Sequence, residues 1–170
     1  TTDLAWETTK ASGVLFKSGL MQALELLGLT DGSIYGETYH KLFGWNPRGI
    51  VLHSPEYLPV REVLATAKAS GGAVVFAHPT VYKSMPLVRE LAAEGAIDGI
   101  EVDHPSNSPE DRAECVQLCQ EYGLVPTAGT DFHGRNHKVP HPIGTCTAPD
   151  EMVTRLQEIA RKRGGGNGTR

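Results

Sequence analysis

Three features are missing from this sequence of 170 residues: an excess of charge of one sign, long apolar runs and paired cysteines. The 16 basic and 20 acidic side chains give a net charge of −4, which argues against binding to nucleic acid or membranes through overall charge. No apolar run is long enough to span a bilayer, and the N-terminal residues lack the apolar core of a signal peptide. The three cysteines have no paired spacing, which favours a reducing cytoplasm over a disulfide framework.

Two of the cysteines, Cys115 and Cys119, are four residues apart and would share one face of a helix. A metal site is possible at this spacing, but small core side chains are the favoured interpretation. A chain of this length is the size of one domain and can bury a core.

The apolar pattern divides the chain near residue 58. Residues 1–58 are predicted to be helical, and Phe16, Leu20, Leu24 and Leu27 follow the spacing of one apolar helical stripe. Residues 59–163 instead alternate helices with short apolar strands. This alternation predicts an α/β fold with a parallel sheet and right-handed crossovers.

Four short segments of the second part are candidate strands, at 73–77, 99–102, 124–129 and 143–147. The first is a continuous apolar run, as expected of a strand that is buried on both faces. The glycine-rich residues 164–170 are expected to form a disordered tail.

Side chains that bind metals follow three of these strands. His78 comes directly after the first, Glu101 lies near the end of the second, and Asp131 and His133 follow the third. Residues two apart on an extended segment point the same way, so Asp131 and His133 can address one point. A carboxylate and an imidazole there suit a divalent metal.

Four motifs carry a family resemblance: AHP (77–79), DGIEV (98–102), HPSNSPEDR (104–112) and AGTDFHG (128–134). Together they resemble the later half of the PHP (polymerase and histidinol phosphatase) family, and most closely its stand-alone bacterial metal-dependent phosphoesterases. The resemblance implies part of a distorted (β/α)₇ barrel related to TIM barrels. Residues 1–58 resemble the helical insertion of such members, and residues 59–163 the C-terminal half of the barrel.

The resemblance also implies a chemistry. His78, Asp131 and His133 match metal ligands of the family, whose complete site holds up to three divalent ions of manganese, zinc, iron or magnesium. The implied reaction is hydrolysis of a phosphate ester by water that is activated at the metals. No catalytic residue beyond these ligands is assigned.

The sequence departs from the family in one respect. Members begin with a strand that carries an HxH motif, but here the histidines before His78 are His40 and His53, and neither has that context. We therefore expect the chain alone to be inactive, whatever the activity of its parent protein. An exposed sheet edge would then favour homo-oligomers.

Several further residues are candidates for substrate contact or for supporting the ligands. Glu101 and His104 border the predicted site, and Arg135 and Lys138 could contact a substrate phosphate, although a solvated loop explains the last two as well. Lys17 is interpreted as an ordinary exposed lysine.

The sequence leaves three functions open. The first is a cytoplasmic phosphoesterase that acts on a small phosphorylated metabolite, a nucleotide or a short oligonucleotide. The second is a PHP-type nuclease or polymerase-associated module, which the scarcity of basic surface disfavours. The third is a non-catalytic scaffold domain. Nucleic acid is expected only as a short substrate, and no membrane partner is expected.

Overall fold

The computed structural model describes residues 2–30, 32–133, 139 and 141–164. The helices are α1 (Thr2–Thr9), α2 (Lys17–Leu26), α3 (Glu37–Phe43), α4 (Val60–Ala69), α5 (Met85–Ala93), α6 (Pro109–Tyr122) and α7 (Asp150–Gly164). The strands are β1 (Val75–Phe76), β2 (Gly99–Asp103) and β3 (Val125–Ala128). None of the described helices is both long enough and apolar enough to cross a membrane.

The chain forms two compact units. The first contains the described parts of 1–56 and 133–140, and the second contains those of 57–132 and 141–170. In the first unit, α1 packs on α2 around the buried Gly19, where a Cβ would lie only 1.9 Å from the Thr9 methyl group. The Thr8 hydroxyl also donates to the Gly19 carbonyl at 3.0 Å, so a side chain at Gly19 would separate the two helices.

The second unit is an α/β structure around a parallel sheet of order β1-β2-β3. Phe76 pairs with Ile100, and Glu101 pairs with Thr127, before a register irregularity between Glu101 and Asp103. Parallel pairing requires crossover connections, which α5 and α6 supply. The prediction of an α/β fold with a parallel sheet is thus confirmed.

Local signals in the sequence determine where α6 begins and ends. The Ser108 hydroxyl accepts the Asp111 N–H at 3.0 Å, and Pro109 occupies the first turn, where a missing N–H is harmless. Gly123 ends the helix in the left-handed region, with φ of 66°. Cys115 and Cys119 are buried side chains of this helix, which confirms that they belong to the core.

The core of the second unit lies between the sheet and α5 and α6, and Val88, Leu91 and Ile100 at its centre have no exposed surface. Burial raises the pKa of the Cys115 thiol to about 12 and that of Cys119 to about 11, so both remain neutral.

Three expectations about local structure were wrong. The first strand is only Val75–Phe76 and is half-buried, because it pairs on one side only within the described sheet. Residues 143–147 form turns instead of a strand. The predicted apolar stripe is not the buried face of α2, since Phe16 and Leu27, which flank the helix, are exposed, while its buried residues are Gly19, Met21 and Ala23. The predicted tail lies outside the described residues, apart from Gly164 at the end of α7.

Candidate active site

His78 lies in a strained turn that directly follows β1. Its φ of 30° is outside the regions that side chains other than glycine normally occupy. The backbone N–H of His78 donates to the Glu101 carboxylate at 2.7 Å, and its carbonyl accepts the Val81 N–H at 3.1 Å. Such strain persists only where surrounding contacts fix the backbone, and it occurs frequently at functional sites.

Glu101 reaches this turn from the neighbouring strand. Glu101 and Asp103 are the half-buried residues of β2, whose other three residues are buried. The Asn107 side-chain amide donates to the carbonyls of Glu101 at 2.9 Å and of Val102 at 3.0 Å. These bonds supply donors to carbonyls at the irregular end of β2 and hold Glu101 in place.

His104 is 1% exposed and lies next to His78, with 5.4 Å between the two ring centroids. Its Nδ1 accepts the Ser106 N–H at 3.0 Å, whereas its buried Nε2 has no hydrogen-bond partner in the described structure. A neutral ring whose Nδ1 is an acceptor carries its proton on Nε2. In this arrangement Nε2 carries a proton and has no lone pair for a metal ion.

Four other ionisable groups act electrostatically on His104. Burial lowers the pKa of His104, the carboxylates of Glu101 and Asp131 oppose this effect, and His78 and His141 add to it. The ring is therefore held neutral, in agreement with its hydrogen bonds. The structure thus gathers groups from the segments after β1, β2 and β3 in one neighbourhood.

The N-terminus of α6 is joined to the turn after His78. The Thr80 hydroxyl donates to the Asp111 carboxylate at 2.6 Å and accepts the Ser108 N–H at 3.2 Å. The Thr80 N–H also donates to the Asn107 side chain at 3.4 Å. Sequence reasoning missed this network, because only the tertiary fold brings Thr80 to residues about 30 positions away.

Asp131 follows β3 and is exposed, with φ of 50°, again in the left-handed region. The segment is held by the Gly129 N–H, which donates to the Asp103 carbonyl at 3.1 Å. The Asp103 side chain forms an ion pair with Arg112 at 2.8 Å. Asp103 therefore has a structural partner, and the exposed Asp131 lies two residues after Gly129.

His133 belongs to the first unit and lines a cavity of about 640 Å³ there. Lys17, Tyr35 and Tyr39 line the same cavity, and the two tyrosine rings contact each other with centroids 5.0 Å apart. The Lys17 ammonium is exposed and lies 5.5 Å from the Phe43 ring centroid. The cavity thus offers hydroxyls, rings and one cation.

The predicted metal ligands are not a closed cluster. Among the described residues, no three His, Cys, Asp or Glu side chains lie close enough together to hold a metal ion. Arg135 and Lys138 lie outside the described residues. The assignment of His78, Asp131 and His133 as ligands remains a prediction.

One observation tests whether the second unit fits a metal. The Nδ1 atom of His78 is buried without a hydrogen-bond partner among the described residues, which is rare for a polar atom and leaves a nitrogen of the kind that binds metal ions. An imidazole nitrogen together with the Asp131 carboxylate suits a divalent cation. The residues fit such an ion, although two ligands are fewer than a complete site requires.

Comparison with known proteins found three curated relatives, and no family model matches the chain. The chain is 35% identical over 137 residues to phosphoribosyl 1,2-cyclic phosphate 1,2-diphosphodiesterase of Eggerthella lenta, a match that covers 81% of this chain and 51% of the relative. It is 30% identical over 83 residues to the 5'-3' exoribonuclease Rnm of Escherichia coli, covering 46% of this chain and 28% of that protein. The chain thus spans about half the length, or less, of the curated relatives it matches.

Two solved structures share the fold. A protein of Bifidobacterium adolescentis that is described as a metal-dependent phosphoesterase matches with a TM-score of 0.67 and 24% identity, over 85% of this chain and 50% of that one. An amidohydrolase from Chromobacterium violaceum, with bound sulfate and no metal, matches with a TM-score of 0.52 and 19% identity, over 89% and 60% of the two chains. These likenesses show the fold, and the curated relatives confirm the resemblance of the chain to the PHP family.

Proposed function

We propose that this chain contributes ligands to the active site of a metal-dependent phosphoesterase. The observation that carries the proposal is the buried Nδ1 of His78, which has no hydrogen-bond partner among the described residues and lies in a left-handed turn at the carboxyl ends of the strands. Active sites of parallel α/β barrels lie at that end. Asp131, also left-handed, approaches the same neighbourhood from the segment after β3.

The residues of the second unit have distinct tasks in this proposal. His78 and Asp131 hold a divalent ion, and His104, with its proton on Nε2, is a buried donor toward an oxygen beside His78. The ion would supply polarisation of a phosphoryl oxygen and activation of water. Imidazole and carboxylate ligands favour manganese or zinc, with iron and magnesium as the alternatives. His133, Arg135 and Lys138 remain predictions from the sequence.

The substrate we propose is a phosphate ester of a small metabolite, a nucleotide or a short oligonucleotide. The relative from Eggerthella lenta is named for a phosphoribosyl cyclic phosphate, which supports a small sugar phosphate. A cytoplasmic location is proposed from the unpaired cysteines, all three of which are free. A homo-oligomer is proposed because β1 pairs on one side only within the described sheet.

A nuclease is the second candidate. The likeness to the exoribonuclease Rnm supports it, although that match covers only 46% of this chain. The net charge of −4 favours a short oligonucleotide over a long one, because it offers little general attraction to phosphates.

The test is metal content after gel filtration in the presence of manganese or zinc, measured by elemental analysis. We expect bound metal in the wild type, none in the His78→Ala and Asp131→Asn double variant, and an unchanged amount in His53→Ala, whose imidazole is exposed. Hydrolysis of bis(p-nitrophenyl) phosphate and of a short labelled RNA by the longer parent protein then separates the two candidate activities, because we expect the chain alone to be inactive. Equal metal content in the wild type and the double variant would show that these side chains are not ligands.

A folded protein that binds no metal would instead favour the non-catalytic scaffold. Far-UV circular dichroism of every variant is needed for this conclusion, because a misfolded variant would lose metal for another reason. The His53→Ala control guards against counting metal that binds to any histidine.

A further inference from the structure

Glu101 is placed to act on two segments at once. It lies on β2, the central strand of the described sheet, so the segments that follow β1 and β3 lie on either side of it. One carboxylate oxygen, Oε2, accepts the His78 N–H at 2.7 Å. The other, Oε1, would lie 2.6 Å from a Cβ placed on Gly129. The carboxylate therefore occupies the space between the two segments.

The position of Glu101 is itself well fixed. The Asn107 amide donates to its carbonyl at 2.9 Å, and its backbone pairs with Thr127 on β3. A short bond between a carboxylate and a backbone N–H is charge-assisted and among the stronger hydrogen bonds in proteins. Gly129 has no side chain, and this allows the carboxylate to approach the backbone of the segment that carries Asp131.

Both segments contain a residue with positive φ, which is uncommon for residues other than glycine. His78 has φ of 30° and Asp131 has φ of 50°. Contacts with the surrounding structure help to keep such conformations populated. Glu101 constrains the backbone at His78 through the hydrogen bond, and it constrains the backbone that leads to Asp131 through its contact with Gly129.

We propose that Glu101 is a positioning residue that sets the separation of His78 and Asp131, and that it does not itself bind metal or substrate. Its Oε2 is engaged by the His78 N–H, and its Oε1 packs against Gly129. The predicted effect on metal affinity rests on the proposed function. The predicted effect on the backbone conformation at His78 and Asp131 does not, because it follows from the hydrogen bond and the contact with Gly129 alone.

Three variants separate the two interactions of the Glu101 carboxylate, with the His78 N–H and with Gly129. Glu101→Ala removes both interactions, and Glu101→Gln keeps an acceptor for the His78 N–H. Gly129→Ala leaves Glu101 intact but forces its carboxylate away. Glu158→Ala is the matched control, because this glutamate is exposed on α7.

The first readout is NMR of the whole chain without metal. In Glu101→Ala we expect hydrogen-exchange protection of the His78 amide to fall at least about tenfold, since the hydrogen bond that protects it is gone. The ¹³C shifts of His78 and Asp131 should both lose their left-handed values, and Gly129→Ala should reproduce the change at Asp131. Glu101→Gln and Glu158→Ala should retain the wild-type pattern. Unchanged shifts at Asp131 in both Glu101→Ala and Gly129→Ala would overturn the proposal.

The second readout is the dissociation constant for Mn²⁺, measured by calorimetry. Loss of a group that supports ligands typically weakens metal binding by about 10–100-fold, and we expect that loss in Glu101→Ala and most of the affinity back in Glu101→Gln. Equal weakening in both variants would identify Glu101 as a ligand and overturn the positioning role. If the wild type binds no Mn²⁺, the proposed function fails, and the NMR result alone decides the positioning role. If Glu101→Ala does not fold, Gly129→Ala decides it.

Discussion

The two ends of the sheet in the second unit contrast sharply. At the end where the strands begin, the Asp98 carboxylate accepts hydrogen bonds from the Val74 N–H at 2.7 Å and from the two terminal nitrogens of the Arg163 guanidinium, at 2.7 and 2.8 Å. At the end where the strands finish, His78 and His104 each bury a ring nitrogen without a partner in the described structure. The first arrangement satisfies its polar groups, and the second leaves groups available.

Backbone conformation follows the same division. Left-handed residues other than glycine occur after β1, at His78 and Lys83, and after β3, at Asp131. In a parallel α/β fold the carboxyl ends of the strands hold the chemistry, while the opposite ends contribute stability. Residues with positive φ other than glycine, and the ring nitrogens without a partner in the described structure, therefore lie on the side of the sheet where the strands finish.

Removal of Asp98 should have the largest effect on stability. Asp98→Ala removes the carboxylate, only 11% exposed, that pairs with Arg163 and accepts the Val74 N–H. Arg163 keeps its bond to the Gly72 carbonyl but loses its ion pair. Breaking a largely buried pair on one side costs about 3 kcal/mol, and we expect a loss of that order in the free energy of unfolding measured with urea. Metal affinity should not change. A loss below about 1 kcal/mol would mean that the ion pair at this end behaves like a surface pair.

The same contact between Asp98 and Arg163 should also make the free energy of unfolding depend on pH, with a smaller effect than that of Asp98→Ala. Burial alone would raise the pKa of Asp98, but hydrogen bonds from Arg163 and Val74, together with the charge of Lys68, hold it below its ordinary value. A lowered folded-state pKa gives stability that is complete above the unfolded pKa of about 3.9 and is lost as the pH falls through the folded value.

Urea unfolding between pH 2 and pH 6 tests this dependence. The stability of Asp98→Asn should fall less steeply below about pH 4 than that of the wild type, because this group no longer titrates. Parallel curves for the two proteins would contradict the assignment. Asp150→Asn is a suitable control, since this aspartate is exposed at the start of α7.

The sequence predicted the elements of the second unit better than their contacts. The start of α6 follows from Ser108 and Pro109, whose capping properties are local and need no tertiary information. The buried face of α2 could not be predicted from its apolar stripe, because packing against α1 depends on the absence of a side chain at Gly19. Periodicity reports where apolar residues lie on a helix, but not which neighbour covers them.

The candidate site shows the same limit. His78 and Asp131 could be selected because they follow predicted strands, and Glu101 because it lies near the end of another. The bond from the His78 N–H to Glu101 and the close approach of Glu101 to Gly129 could not be predicted. Both depend on distances between neighbouring strands, which a single sequence does not contain.

The smallest predicted effect has the opposite sign to that of Asp98→Ala. Nε2 of His104 is a buried donor without a partner among the described residues, which costs stability, and an apolar group of similar shape removes that cost. We expect His104→Phe to raise the free energy of unfolding by about 1 kcal/mol, reduced by the loss of the bond from the Ser106 N–H. Thermal and urea unfolding measure the change, and His53→Phe at an exposed position gives the baseline.

The sign of this change decides whether the contrast between the two ends is real. Stabilisation together with weaker binding of Mn²⁺ or of inorganic phosphate would mean that His104 serves a ligand at the expense of stability, as expected at a functional site. Destabilisation by more than about 1 kcal/mol would instead mean that His104 is a satisfied part of the packing around His78. In that case the end of the sheet that carries His78 would differ from the opposite end only in its backbone strain.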